Sequence, residues 1–233
     1  MKQSYDKTAI EWLDETDSTN SELRRRLHSL DNLSVIAAEY QTAGRGQHSH
    51  TWLSPEGENL TFSVLLRFGP GAVPSLPAAE AVRITQMATL SIRSFLLSEG
   101  VESRIKWPND IWVADRKICG MLIENILDGN NVASSIIGIG INLNQKVFDP
   151  ALPNPVSLSQ LTGKHYPLRT TLQTIYEMIC RRAAQLSTSD GRNELEKEFA
   201  EHLFHLERHE QQTLDEAISD FEEGLRPSKG LLP

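Results

Sequence analysis

Arg45 stands between Gly44 and Gly46 in the polar run Glu39-Tyr40-Gln41-Thr42-Ala43-Gly44-Arg45-Gly46-Gln47-His48-Ser49-His50-Thr51-Trp52. A guanidinium is a planar fork of donors matched to phosphate or carboxylate, and the flanking glycines let the backbone come close to a ligand. Anion binding is therefore the first expectation, and a solvated arginine in a glycine-rich hairpin is the alternative. Two further cations fit the same chemistry. Lys106 sits where a short β-type run ends at Trp107-Pro108-Asn109-Asp110, so its ammonium is expected to face the mouth of a sheet beside an aromatic wall, a surface lysine beside a buried tryptophan in a turn being the alternative. Lys117 enters the apolar run Ile118 to Glu124 from a turn at Asp115-Arg116, where a solvated lysine is the competing reading. The polar quartet Asp17-Ser18-Thr19-Asn20 precedes a helical pattern with leucines at 23, 27 and 30. One or two such residues cap a helix; the rest are either spare donors and acceptors for a small polar ligand or part of a plain N-cap. Ser49 stands where a dinucleotide fingerprint needs its third glycine, and no P-loop is spelled anywhere, so any nucleotide site is built differently.

The elements that must hold these groups follow from periodicity. Val35 to Ala38 and Leu60 to Leu66 read as buried strands on either side of the central loop, with Ile10 to Leu13 a third. A helix is predicted from about Pro77 to Leu97, buried through Val82, Met87, Leu90, Phe95 and Leu97. Ser135-Ile136-Ile137-Gly138-Ile139-Gly140-Ile141 is a strand whose alternating glycines bare one face, either for a ligand or another backbone or for tight sheet packing. Further helices are expected over Arg169 to Leu186 and Glu194 to His205.

The 233 residues suit one large domain with at most a small appendage. Acidic residues outnumber basic ones, 31 to 23, and the net charge of −8 argues against wholesale nucleic-acid binding. Met1-Lys2-Gln3-Ser4-Tyr5-Asp6 lacks an apolar export core and no stretch approaches the roughly 18 apolar residues of a membrane span, so a cytoplasmic protein is expected. Cys119 and Cys180 are too few and too far apart for a disulfide framework or a zinc site.

Asp-Ser-Thr-Asn, Gln-Thr-Ala-Gly-Arg-Gly with Trp52 beyond it, Lys-Trp-Pro-Asn-Asp, Arg-Lys-Ile-Cys-Gly-Met-Leu-Ile-Glu and Gly-Ile-Gly-Ile-Asn-Leu-Asn occur in that order between Ile10 and Asn144. In this the chain resembles biotin protein ligases. The resemblance implies an α+β fold, a mixed β-sheet flanked by helices like that of class II aminoacyl-tRNA synthetases, with a catalytic domain over 1–190 and a short, divergent or truncated region over 191–233. It implies that biotin and ATP form biotinyl-5′-AMP, with Mg2+ on the nucleotide, and that biotin passes to a lysine of a carboxylase's biotin carboxyl carrier domain. It places Ser18, Thr19, Asn20 and Gln41 around biotin, joined by Arg45, Gly46, Gln47 and Lys106. The nucleotide side would hold Arg45, Gln47, Trp52, Lys106, Asn109, Lys117 and Asn142, and Arg45, Lys106 and Lys117 would act as the catalytic cations. No protein ligand to a metal is assigned, Asp110 being the carboxylate to consider.

That chemistry suits the residues, since joining a carboxylate to a phosphate needs positive charge fixed in place beforehand. The quartet begins at position 17, which leaves no room ahead of it for a DNA-binding domain, so DNA is not an expected partner; a homodimer stays open. A lipoate ligase and a non-catalytic biotin-binding protein are the rival readings. The loop also departs from its relatives, with Gln47, Ser49 and His50 where a basic residue, a glycine and an arginine are usual. His48 and His50 are expected to be solvated. Looser retention of the activated acid follows, so Gln47→Arg is expected to slow release of the adenylate from the enzyme; an unchanged release rate would refute this.

Overall fold

The computed structural model describes residues 9–47 and 51–204. The calls on Met1 to Asp6, on His48, Ser49 and His50, on His205 and on the tail from Glu207 lie outside them. Strand β1 (Ile10–Thr16) is followed by helix α1 (Thr19–Arg25), β2 (Val35–Gln41), β3 (Leu60–Arg67), the short β4 (Leu76–Pro77) and helix α2 (Val82–Ser98). Then come β5 (Arg104–Lys106), β6 (Asp110–Val113), β7 (Arg116–Asp128), β8 (Asn131–Ile141) and helices α3 (Leu158–Thr162), α4 (Leu168–Gln185) and α5 (Ser189–Glu201). One sheet runs in the order β1-β2-β3-β8-β7-β6-β5, with β4 paired to β8. β1 and β2 are parallel and the other pairings antiparallel. A parallel pair needs a crossover, and α1 with the 3-10 turn Leu27–Ser29 is that crossover.

Because side chains alternate along a strand, the sheet has two different faces. Leu60, Phe62, Val64 and Leu66 of β3, with Ile137, Ile139 and Ile141 of β8, join a core that includes Ile84, Leu90 and Leu96 of α2, Leu172 and Ile179 of α4 and Leu195 and Phe199 of α5. On the other face a small cluster of Leu23, Ile36, Leu65 and Ile136 seats α1, and the rest of that face is left to the site. Among the described residues no helix is long and apolar enough to cross a membrane.

Several boundaries differ from the sequence-based expectation. Glu39 to Gln41 continue β2 rather than opening the loop, because Tyr40 and Gln41 remain paired with Glu15 and Thr16 of β1. The first helix ends at Arg25; Arg67 then donates to the carbonyls of Leu27 and Leu30 and holds the next turn in a tighter winding. α2 begins at Val82, after extended Pro77 and the turn Ala78–Glu80, and its Leu97 is 45% exposed rather than buried. α5 runs from Ser189 to Glu201, with Thr188 Oγ1 accepting from the Gly191 N–H as its cap. A domain boundary at 190 therefore falls within α5, whose Leu195 and Phe199 are buried in the common core.

Phe62 shows what the core contributes. It is fully buried on a strand hydrogen-bonded on both sides, opposite Ala37 of β2 and Ile139 of β8. Phe62→Ala is expected to lower unfolding stability by about 3–5 kcal/mol in urea titrations, and a loss below about 1 kcal/mol would contradict this placement.

Candidate active site

The face that carries α1 reads across the strands as rows. Thr61 of β3, Gly140 of β8, Gly120 of β7 and Asp110 of β6 are successive partners, and Ser63, Gly138 and Leu122 form the next row. A third row is Leu65, Ile136 and Glu124. The glycines leave the backbone bare, and side chains rather than a backbone cover it. A Cβ on Gly138 would lie 2.1 Å from Asn20 Oδ1, and one on Gly140 would lie 2.3 Å from Trp52 Cε2. The indole also reaches Gly120. Trp52 is held there because its N–H donates to the Gly44 carbonyl at 3.0 Å. Gly44 is required, since a Cβ would meet Trp52 O at 2.3 Å.

At the α1 end the polar groups form one network. Ser18, Thr19 and Asn20 are buried. The Thr19 N–H donates to Gln41 Oε1 at 2.8 Å, and Ser63 Oγ lies 2.8 Å from Thr19 Oγ1 while donating to Asn20 Oδ1 at 2.6 Å. Asn20 Nδ2 donates to the Leu122 carbonyl and to Glu124 Oε2 at 3.2 and 2.9 Å. The quartet thus acts differently from a helix cap: Ser18 occupies the cap position without a side-chain cap bond. Asp17 instead accepts from Arg25 and from the Ser18 N–H, and these two, the guanidinium foremost, hold its carboxyl well below the usual range.

At the other end the groups are charged. Lys117 Nζ is 2.7 Å from Asp110 Oδ2 and 5.9 Å from the centre of the Trp52 ring. Asn142 Nδ2 donates to the Val156 carbonyl at 3.1 Å, and Asn109 donates to the Met121 carbonyl. Trp52 Nε1 is buried without a hydrogen-bond partner among the described residues, its edge of the ring lying against Gly140. Between the two ends lies a cavity of about 460 Å3, within the range of small-molecule sites. Phe148, Leu152, Pro153 and Pro155, from the loop after β8, close its outer wall.

Of the residues singled out from sequence, Ser18, Thr19, Asn20, Gln41, Arg45, Gly46, Gln47, Trp52, Asn109, Lys117 and Asn142 line this one cavity. Lys106 does not. It shares a sheet face with Asp110, its partner across β5 and β6, but its ammonium lies 4.3 Å from the centre of the Trp112 ring. A cation over an aromatic face is stabilised without any ligand, which explains the difference from an ammonium expected at the sheet's mouth beside Trp107. Arg45 lines the cavity while its guanidinium contacts Glu124 at 3.1 and 3.4 Å. Among the described residues no group of three or more His, Cys, Asp or Glu could hold a metal, and Asp110 is committed to Lys117. Cys119 and Cys180 are buried free thiols; burial raises both, Cys180 to about 11, so neither is a ready nucleophile.

Sequence reasoning passed over Thr61, Ser63 and Glu124. Thr61 and Ser63 are polar residues two apart inside the otherwise apolar Leu60–Leu66, and that spacing was the signal that one face of β3 is polar. Gly140→Ala tests the covering role of Trp52: the added methyl must expel the indole, and tryptophan emission is expected to shift to longer wavelength. The same change in a Trp52→Phe background should leave emission unaltered, and a shift there would reject the assignment.

Comparison with known proteins places these residues in context. The profile of the biotin/lipoate A/B protein ligase family matches residues 12–142. The bifunctional ligase/repressor BirA of Escherichia coli K12 is 34% identical over 75% of this chain and 53% of its own length. The biotin–[acetyl-CoA-carboxylase] ligase of Paracoccus denitrificans is 31% identical over 74% of this chain and 72% of its own. The chain spans about half or less of the repressor-type relatives it matches, 43% in the case of the Bacillus spizizenii protein. Among solved structures, the biotin protein ligase of Aquifex aeolicus in complex with biotin and ATP superposes with a TM-score of 0.70 at 25% identity, over 84% of this chain and 79% of that one.

Proposed function

The chain belongs to the biotin/lipoate A/B protein ligase family, and from that premise we propose that it activates biotin with ATP and transfers it to a lysine of a biotin carboxyl carrier domain. One observation carries this reading: a single cavity joins the neutral groups Ser18, Thr19, Asn20 and Gln41, the first three of them buried, to an end that holds Trp52 and the ammonium of Lys117 in its pair with Asp110. A ureido ring is uncharged and offers both donors and acceptors, which the first end complements. A carboxylate and the phosphates of ATP are anionic, which the second end complements.

In the first step a carboxylate oxygen of biotin attacks the α-phosphorus. The new C(O)O–P bond forms as the bond to pyrophosphate breaks. In the second step the carrier lysine, as the neutral amine, attacks the acyl carbon, giving an amide and releasing AMP and a proton. The protein supplies no covalent intermediate in this scheme. Its part is to hold the two substrates in line and to place Arg45 and Lys117 against the charge that builds at the junction. Lys106 joins them by rotating off Trp112, which leaves its backbone in β5 undisturbed. Trp52 offers an aromatic surface to the nucleotide, beside Asn109 and Asn142. Magnesium enters with ATP, on its phosphates.

The decisive test incubates the protein with ATP, magnesium, acid and a carrier domain and weighs the carrier. Biotin is expected to add one biotinyl group and lipoate nothing. A lipoyl adduct in its place would change the substrate, and no adduct with either acid would reject the reading. Lys117→Ala is expected to cut kcat/KM about 10- to 100-fold, the loss of one charge-assisted contact.

A further inference from the structure

Glu124 is the carboxylate on which the neutral network of the α1 end and the central loop meet. It lies on β7 in the row of Leu65 and Ile136, and its side chain is only 18% exposed. Asn20 Nδ2 donates to Oε2 at 2.9 Å, Arg45 approaches both oxygens at 3.1 and 3.4 Å, and Arg24 reaches Oε1 at 3.2 Å. One anion therefore fixes the carboxamide of the neutral network and restrains the guanidinium of the central loop.

The position of Arg45 shows what the restraint does. Glu124 is four residues along β7 from Gly120, about 13 Å at the rise of a strand, and Gly120 is where Lys117 and Trp52 lie. The guanidinium is thus drawn toward α1 and away from the cationic end. Its backbone is anchored separately, because Arg45 bridges to Thr51 and the next contact is the Trp52 N–H to the Gly44 carbonyl. A change of partner by Arg45 is then a side-chain rotation that leaves the loop in place. The guanidinium is 44% exposed, so water screens its side of the pair and can reach it as the partner changes.

Resting on the function proposed above, we infer that Glu124 is a positioning residue: it competes with a substrate anion for Arg45 and keeps the Asn20 carboxamide oriented throughout. Asn20 needs only an acceptor, so a neutral amide at position 124 would serve it, whereas the restraint on Arg45 needs the charge.

The two roles separate when the affinities of biotin and of uncharged biotinamide are measured by calorimetric titration. Glu124→Gln is expected to bind biotin about two- to fivefold more tightly and biotinamide unchanged, because the competitor for Arg45 is gone and the Asn20 acceptor remains. Glu124→Ala is expected to weaken biotinamide about two- to tenfold. In an Arg45→Gln background the selective gain from Glu124→Gln should vanish; its persistence would mean simple charge repulsion and would overturn the inference. An equal change for both ligands, or a selective loss for biotin, would overturn it too. Glu124→Asp keeps the charge but shortens its reach, and serves as a second variant in which the ratio of biotin to biotinamide affinity is again expected to rise. If the unaltered protein binds neither ligand, the fault lies with the proposed function and not with Glu124.

Discussion

The site exists because side chains lie directly on bare strand backbone. At Gly138 and Gly140 any Cβ would fall within 2.3 Å of Asn20 or Trp52, well inside van der Waals contact. Two residues from distant parts of the chain are thereby laid flat against the middle of the sheet, each over its own row of cross-strand partners. The spacing between those rows fixes how far apart the neutral and the charged ends stand. Every other feature of the cavity, including the reach of the loop from Gly44 to Trp52, is built on that separation.

The two faces of the sheet carry different kinds of work. Against the helices, β3 and β8 present large aliphatic and aromatic side chains, and the core is continuous from Val35 to Phe199. Against the site the same strands present Thr61, Ser63, Gly138 and Gly140, which contribute little to apolar burial. Stability is therefore concentrated on one side, and the polar side can be shaped by what it binds. The buried hydroxyls and amides there stay tolerable because each is satisfied: Ser63, Thr19, Asn20 and Gln41 bond to one another or to backbone.

Much of this was readable from the chain itself. Alternation and apolar runs located the strands, and the glycines at 138 and 140 marked a bared face, with a ligand, another backbone or tight sheet packing all open as its reason. What covers that face was not readable, since Asn20 and Trp52 arrive from segments 118 and 88 residues away from Gly138 and Gly140 respectively. The direction of Lys106 was equally hidden: its backbone position is at the mouth of the sheet, but the ring that holds its ammonium belongs to the neighbouring strand. Glu124 ends an apolar run and looks like an ordinary strand terminus in sequence. Only the fold shows Arg24, Arg45 and Asn20 converging on it. Helix limits were displaced for local reasons of the same sort, as with Arg67 binding the carbonyls beyond α1.

Asn142 stands where β8 ends, and its backbone and side chain do separate jobs. Its N–H bonds the Ile118 carbonyl, its carbonyl accepts from Leu158, and its amide reaches the Val156 carbonyl. The stretch that includes Phe148 and Leu152 is consequently tied off at its base like a purse string, with the Ser157–Gln160 capping box as a second knot. Asn154 and Val156, at the far end of the tie, pair with Lys117 of β7 and fasten the loop to the sheet there as well. The side chains of Phe148 and Leu152 between these fastenings can therefore change, and with them the shape of what is admitted, while the register beneath stays untouched.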